Sequence, residues 1–380
     1  MTTSLGAKVL AEVYRLHHVP LPAITLQELL KRGPAASPAV VATLQNDTRA
    51  LDKWREANAP AIVTSAQLLH REVPIRLSRR IVDLENLPDE LPQATPIVSL
   101  REQLLSSFDQ LLSCPFPANL SGERDFMALH VKIRKKHATM HGNIAEAVRA
   151  LEYEPQGLRE SLDNFYNSRI GIRMLVDQHV AAQTPRPGFT GIVHNECSPV
   201  QIAREIAHKV RSLWQESLDG EQMPAIVVSG DEQATYRYIS EHVAIILTEV
   251  LKNAVLNSVA AAKRTGADSP PPVNVLISGG PHGMCIKVSD LGGGMTRKEA
   301  NALSSYYQAA TSPSPNGYDP VAEALEGRAM GLDFSDSFGL RIAQLYAKYF
   351  GGELAIMPME GHGVETYIYM KCLTGDSELK

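Results

Sequence analysis

Apolar positions recur at helical spacing through the first half of the chain and switch to alternation in the second. Leu100, Leu104, Leu105, Phe108, Leu111 and Leu112 form one stripe with three- and four-residue steps. Ile144, Val148 and Leu151 form another, and Leu162, Phe165, Ile172 and Val176 a third. Proline-marked loops separate these stretches, and strand-like alternation is nearly absent before residue 190. The pattern predicts an N-terminal all-helical bundle over residues 1–184. Gln183-Thr-Pro-Arg-Pro-Gly188 ends its last helix, since a residue before proline is pushed out of helical geometry. That segment marks the linker to a second domain over residues 189–380.

Beyond the linker, short alternating runs appear at Ala225–Ser229, Val273–Ser278, Met284–Asp290, Gly352–Met357 and Val364–Lys371. The second and third flank Gly279-Gly280-Pro281-His282-Gly283, which predicts an antiparallel hairpin. Helical stretches fall between the strands, around residues 199–218, 236–263 and 339–350. The expected fold class is therefore α+β in two domains: the bundle, then a mixed sheet with its helices on one face. Ala309 to Ser337 is rich in Pro, Gly, Ser and Asp and lacks periodicity, which suggests a functional loop or lid.

Composition narrows the class without naming a chemistry. The 380 residues suffice for two cores, and 44% hydrophobic with 21% charged residues is ordinary for a soluble globular protein. A net charge of -5 gives no electrostatic ground for nucleic acid as the partner. Cys114, Cys197, Cys285 and Cys372 are too scattered for a zinc site and read as reduced thiols. The longest apolar run, around Val243 to Leu251, is interrupted by Thr248 and Glu249, so no membrane span is expected. Met1 to Ala11 holds Lys8 but no Arg, so a mitochondrial presequence is not evident. Two expectations fit that: a cytosolic protein, or a sequence that lacks its presequence.

The candidate chemistry sits on the most apolar helix. Ile239, Val243, Ile246, Val250 and Ala254 keep the spacing of a face turned to the sheet. Glu249, Lys252, Asn253 and Leu256 cluster on another face. An Asn oxygen is a suitable ligand for magnesium bridging nucleotide phosphates, and a neighbouring Glu can take a proton from a hydroxyl. A solvated face on an amphipathic helix would read the same way. Asp290 ends a strand and is followed by Leu291-Gly292-Gly293-Gly294, where a carboxylate could accept from the amine of adenine while glycines admit a ligand. A simple Asp-capped turn has the same letters. Gly339 opens the helix Leu340 to Phe350, whose N-terminus offers amides for phosphate.

The order of these parts resembles the ATP-binding fold shared by gyrase, heat-shock chaperone, histidine kinase and mismatch-repair ATPases (the GHKL or Bergerat fold). Within it, Leu162-Asp-Asn-Phe-Tyr-Asn-Ser-Arg-Ile-Gly-Ile-Arg-Met-Leu175 followed by Asp177-Gln-His179 resembles the signature helix of the mitochondrial pyruvate dehydrogenase and branched-chain 2-oxoacid dehydrogenase kinases. Arg76-Leu-Ser-Arg-Arg-Ile-Val-Asp-Leu-Glu-Asn-Leu-Pro88 and Leu345-Tyr-Ala-Lys-Tyr-Phe350 match that family too. The resemblance implies a protein serine kinase of the mitochondrial matrix that uses ATP and Mg2+. It would phosphorylate the E1 α subunit of a 2-oxoacid dehydrogenase, most readily pyruvate dehydrogenase, and inactivate it. Its bundle would dock a lipoyl domain of the acyltransferase core, and it would act as a homodimer or as a heteromer with a homologous kinase.

By the same resemblance, Glu249 is the general base, Asn253 the magnesium ligand and Asp290 the adenine acceptor, with Lys252 beside them. Gly292, Gly294 and Gly339, with Phe338 and Leu340, line the nucleotide pocket. His137, in Lys135-Lys136-His137, corresponds to a family histidine that interacts with the catalytic glutamate; a basic exposed helix face is the alternative. Four departures fall on this site. Leu256 stands where the family has Arg, and Ala309-Ala310 replace a Ser-Thr pair. The triple-glycine phosphate loop has become Ser335-Asp336-Ser337-Phe338-Gly339, and Val364 stands for a Thr. Two functions from different classes follow: an active kinase with an altered phosphate grip, or a pseudokinase-like subunit that scaffolds or activates an active partner.

Overall fold

Helices dominate as far as residue 183, as the periodicity predicts. They are α1 (Thr2–His17), α2 (Leu26–Leu30), α3 (Pro38–Leu44), α4 (Thr48–Ala57) and α5 (Ala59–Glu85), then α6 (Thr95–Ser113), α7 (Leu120–Lys136), α8 (Met140–Arg149) and α9 (Leu158–Gln183). The computed structural model describes residues 2–21, 24–44, 47–217, 222–280, 282–303, 305–311, 338–374 and 377. Two units emerge from its contacts: residues 1–147, 155–195 and 374–380 in one, residues 148–154 and 196–373 in the other.

In the first unit α5 is the central helix, packed by α1, α6, α7 and α9. Leu100, Leu104, Phe108 and Leu111 of the predicted stripe are buried, whereas Leu112 is exposed. On α9 the buried seam runs through Leu162, Phe165, Tyr166, Ile170, Met174 and Leu175; Ile172 and Val176 are only half-buried. The seam departs from the expected stripe because Tyr166, Ile170 and Met174, at four-residue steps, take the inward positions. A two-strand hairpin, β1 (Phe189–Thr190) and β2 (Val193–Cys197), follows the linker and was not predicted.

The second unit holds α10 (Pro199–Ser217), β3 (Ile226–Gly230), β4 (Tyr236–Tyr238), α11 (Ser240–Thr265), β5 (Val273–Gly280) and β6 (Gly283–Asp290). It continues with α12 (Arg297–Ala302), α13 (Tyr306–Thr311), α14 (Gly339–Tyr349), β7 (Glu353–Met359) and β8 (Gly363–Lys371). Five strands form a mixed sheet in the order β3-β5-β6-β8-β7, with β3 and β5 parallel and the remaining neighbours antiparallel. The predicted hairpin is β5–β6, tighter than expected because Gly280 already pairs with Gly283. Val273, Val275 and Ile277 alternate with Met284, Ile286 and Val288 on the buried face, and α10, α11 and α14 cover it. The helix expected from residue 236 starts at Ser240, since Tyr236–Tyr238 is extended. It ends where Gly266 takes a left-handed φ of 65°, with Lys263 and Arg264 at the negative end of its dipole. By length and composition α11 could cross a membrane, yet 72% of its most apolar window is buried inside the fold; it is a core helix.

Candidate active site

α11 carries its charged residues inward. Glu249 and Lys252 are 2% and 4% exposed, which excludes the solvated-face alternative. Lys252 Nζ stands 3.2 Å from Glu249 Oε2. Taking both charges out of water roughly cancels their attraction, so such a pair is not there for stability alone. Asn253 Nδ2 donates to the Glu249 carbonyl at 2.8 Å, which turns its Oδ1 away from the backbone as a ligand oxygen.

The Glu249 carboxylate lies against the start of α14. A Cβ on Gly339 would fall 1.8 Å from Glu249 Oε2, so any side chain there would push the carboxylate aside. Phe338 precedes the helix without a side-chain cap, and the carboxylate occupies the positive end of the dipole. Gly339 was expected to open a helix N-terminus whose amides face phosphate; in this structure it also clears room for Glu249.

One turn along α11 a small cavity opens between that helix, β6, β8 and α14. Asn253, Asp290 and Leu340, all singled out from the sequence, line it together with Asn257, Val364 and Thr366. Asp290 is 5% exposed. Burial raises its pKa above the usual carboxylate range, opposed by hydrogen bonds from the Gly292 and Val364 amides and, most weakly, the Asn257 side chain. The Gly292 N–H donates to Asp290 Oδ1 at 2.8 Å. A largely apolar slot with a strand-end carboxylate, two carboxamides and a hydroxyl offers the polar groups that a flat base bearing an exocyclic amine would meet. The glycines after Asp290 answer to packing: a Cβ on Gly292 would sit 2.6 Å from Asn257 Cβ. Gly294 has a φ of 70°, and its Cβ would meet the Met359 carbonyl oxygen at 1.9 Å. Arg264 Nη2 ties the turn to α11 through the Gly292 carbonyl at 2.9 Å.

Leu256, Ala309, Ala310 and Phe338 are not among the residues that line this cavity. Leu256 is half-buried on α11 and does not line it. Ala309 and Ala310 belong to α13, where the Ala310 carbonyl accepts from Arg149 Nε at 2.9 Å; neither lines it. Phe338 is buried edge-on to Tyr306, with ring centroids 5.1 Å apart. Ser337 lies outside the described residues, as does most of the expected lid. His137 belongs to the first unit and caps the C-terminus of α7. It is buried, with Nε2 3.0 Å from Ser107 Oγ, so it is not part of an exposed basic face. Burial, reinforced by Arg80, Arg169 and Lys136, pushes its pKa down to about 3 and keeps it neutral.

Asn257 and Thr366 were missed. Asn257 is four residues beyond Asn253, so helical spacing already placed the two on one face. Thr366 is two beyond Val364 on β8, so the hydroxyl missing at Val364 returns at the same sheet face. Among the described residues no group of three or more His, Cys, Asp or Glu could hold a metal. A magnesium held by one Asn and nucleotide phosphates would need none.

Residues 42–194 match the family model of mitochondrial branched-chain alpha-ketoacid dehydrogenase kinase. Over 334 residues the chain is 32% identical to a mitochondrial pyruvate dehydrogenase (acetyl-transferring) kinase of Arabidopsis thaliana, covering 83% of this chain and 87% of the relative. It is 29% identical over 331 residues to isozyme 4 of the human mitochondrial kinase of the same name, covering 83% and 78%. The two-domain α+β fold, the bundle motif and this similarity agree, and the chain belongs to the mitochondrial pyruvate dehydrogenase and branched-chain 2-oxoacid dehydrogenase kinase family.

Proposed function

We propose that the chain is a protein serine kinase that transfers the ATP γ-phosphate to the E1 α subunit of a mitochondrial 2-oxoacid dehydrogenase complex, pyruvate dehydrogenase first, and thereby inactivates it. The observation that carries this is one helix, α11, holding a buried Glu249–Lys252 pair one turn from a cavity floored by Asp290. Its relatives' names supply the substrate class.

Bound Mg-ATP supplies the phosphoryl group and the metal charge. Glu249 takes the proton of the substrate hydroxyl, and Lys252 fixes the direction of its carboxylate. Asn253 Oδ1 is the metal ligand, and Asp290 accepts from the adenine amine. His137, buried and neutral on Ser107, shapes the bundle rather than moving a proton. Matrix localisation, docking of a lipoyl domain on the bundle and assembly as a homodimer or as a heteromer with a homologous kinase belong to the same proposal.

Titration calorimetry with Mg-ATP, followed by phosphate transfer to E1, tests this. Glu249→Gln should abolish transfer and leave nucleotide binding largely intact. The second function, a regulatory subunit, is favoured by Glu249 pressed against Gly339 at the phosphate end. It wins if no ATP binding is seen even with the acyltransferase core present, or if E1 is phosphorylated only when a homologous kinase is added.

A further inference from the structure

Asn257 lines the same cavity as Asp290, in the interior of α11. Asn is a poor helix former, because its side chain competes for backbone hydrogen bonds, so its place there calls for a contact that offsets the cost. The Gly292 turn is seated directly on it, with room for no side chain between them. The same turn meets the Asp290 carboxylate, since a Cβ on Gly292 would also stand 2.9 Å from Asp290 Oδ1.

A carboxylate offers about four acceptor sites. The Gly292 amide takes one of them at 2.8 Å, and the carboxylate keeps acceptor capacity for a ligand. That acceptor alone does not identify a base. Adenine presents 6-amino hydrogens and guanine presents its ring N1–H, and a carboxylate pairs with either. The atom that separates them is N1, a lone pair in adenine and a donor in guanine. A carboxamide nitrogen has two N–H donors, and Asn257 lines the cavity beside Asp290.

We propose that Asn257 is the base-reading residue of this site: its amide N–H donates to the N1 lone pair of a 6-aminopurine whose amino group donates to Asp290. The inference rests on the nucleotide-site function above and adds a specificity-determining residue to it. A base protonated at N1 would set donor against donor, and an unpaired buried donor is costly.

The test is titration calorimetry of the full chain with Mg-ATP, Mg-GTP, 1-deaza-ATP (a C–H in place of N1) and purine riboside triphosphate, which lacks the 6-amino group. The wild type should bind ATP about tenfold more tightly than 1-deaza-ATP, the value of one hydrogen bond to a desolvated donor. In Asn257→Ala that ratio should fall to about one, while the preference for ATP over purine riboside triphosphate, set by Asp290, persists. Equal wild-type affinity for ATP and 1-deaza-ATP overturns the inference whether or not the variant folds. So does an undiminished preference in a folded Asn257→Ala. Failure of the wild type to bind any nucleotide removes the nucleotide site itself, and the inference with it.

Discussion

Gly339→Ala adds one methyl group at the most crowded point of the site. Its Cβ would stand 1.8 Å from Glu249 Oε2 and 2.5 Å from Glu249 Cδ. The backbone there is not left-handed, so alanine meets no dihedral strain and gains up to ~1 kcal/mol of helix propensity. Against that, the carboxylate has to retreat within a buried setting while Lys252 holds it at 3.2 Å. Overpacking of this kind costs about 1–3 kcal/mol, so a net loss of roughly 1–2 kcal/mol is expected. Denaturant midpoints followed by circular dichroism would register it. Because the proposed base is displaced by about an ångström, transfer to E1 should fall on the order of a hundredfold. Glu249→Asp supplies the control: it withdraws the carboxylate by one methylene and keeps a charge for Lys252. In that background Gly339→Ala should be neutral or slightly stabilising. An equal loss in both backgrounds would refute the steric explanation, since only coupled sites depart from additivity.

Lys252→Met strips the buried Glu249 of this cation and should cost about 3–5 kcal/mol, most of it recovered in Glu249→Gln/Lys252→Met; urea denaturation of the three variants decides, and a single-variant loss within noise would mean the pair is not buried in solution. Thr366→Val keeps the volume but removes the cavity hydroxyl, so ATP affinity by calorimetry should drop about two- to tenfold with little change in melting temperature; an unchanged affinity would exclude that hydroxyl from base contact. His137 titrates at about 3 when folded against an ordinary 6.5, so the unfolded chain binds the extra proton between those values and stability is lost as pH falls through that window. From pH 7 to pH 5 this residue should account for about 2 kcal/mol of the loss, absent in His137→Gln; an acid sensitivity identical in both proteins would sink that assignment.

Much of this was legible in the letters. The 3.6-residue period found the bundle, alternation found the five sheet strands, and the β5–β6 hairpin followed from its glycines. Glu249, Asn253 and Asp290 stood out because polar groups on apolar elements need a reason, and the cavity does join Asn253 to Asp290. Asn257 was within reach by the same four-residue step. The N-terminal limit of α11 was not, because Tyr236-Arg237-Tyr238 is too short for its alternation to stand out beside the long apolar helix that follows.

The sequence by itself determined the helical character of the first half, the five strands of the mixed sheet and their order, and which helix carries the chemistry. These are local matters: residue period, a glycine after a helix, a carboxylate at a strand end. Only the tertiary structure decided that Glu249 and Lys252 are buried, that Gly339 yields its space to a carboxylate, and that His137 is neutral on Ser107. A helical wheel shows that two faces differ but not what covers the polar one. That depends on α14 arriving from a distant part of the chain, and burial, pairing and pKa are set by such neighbours rather than by the residue itself.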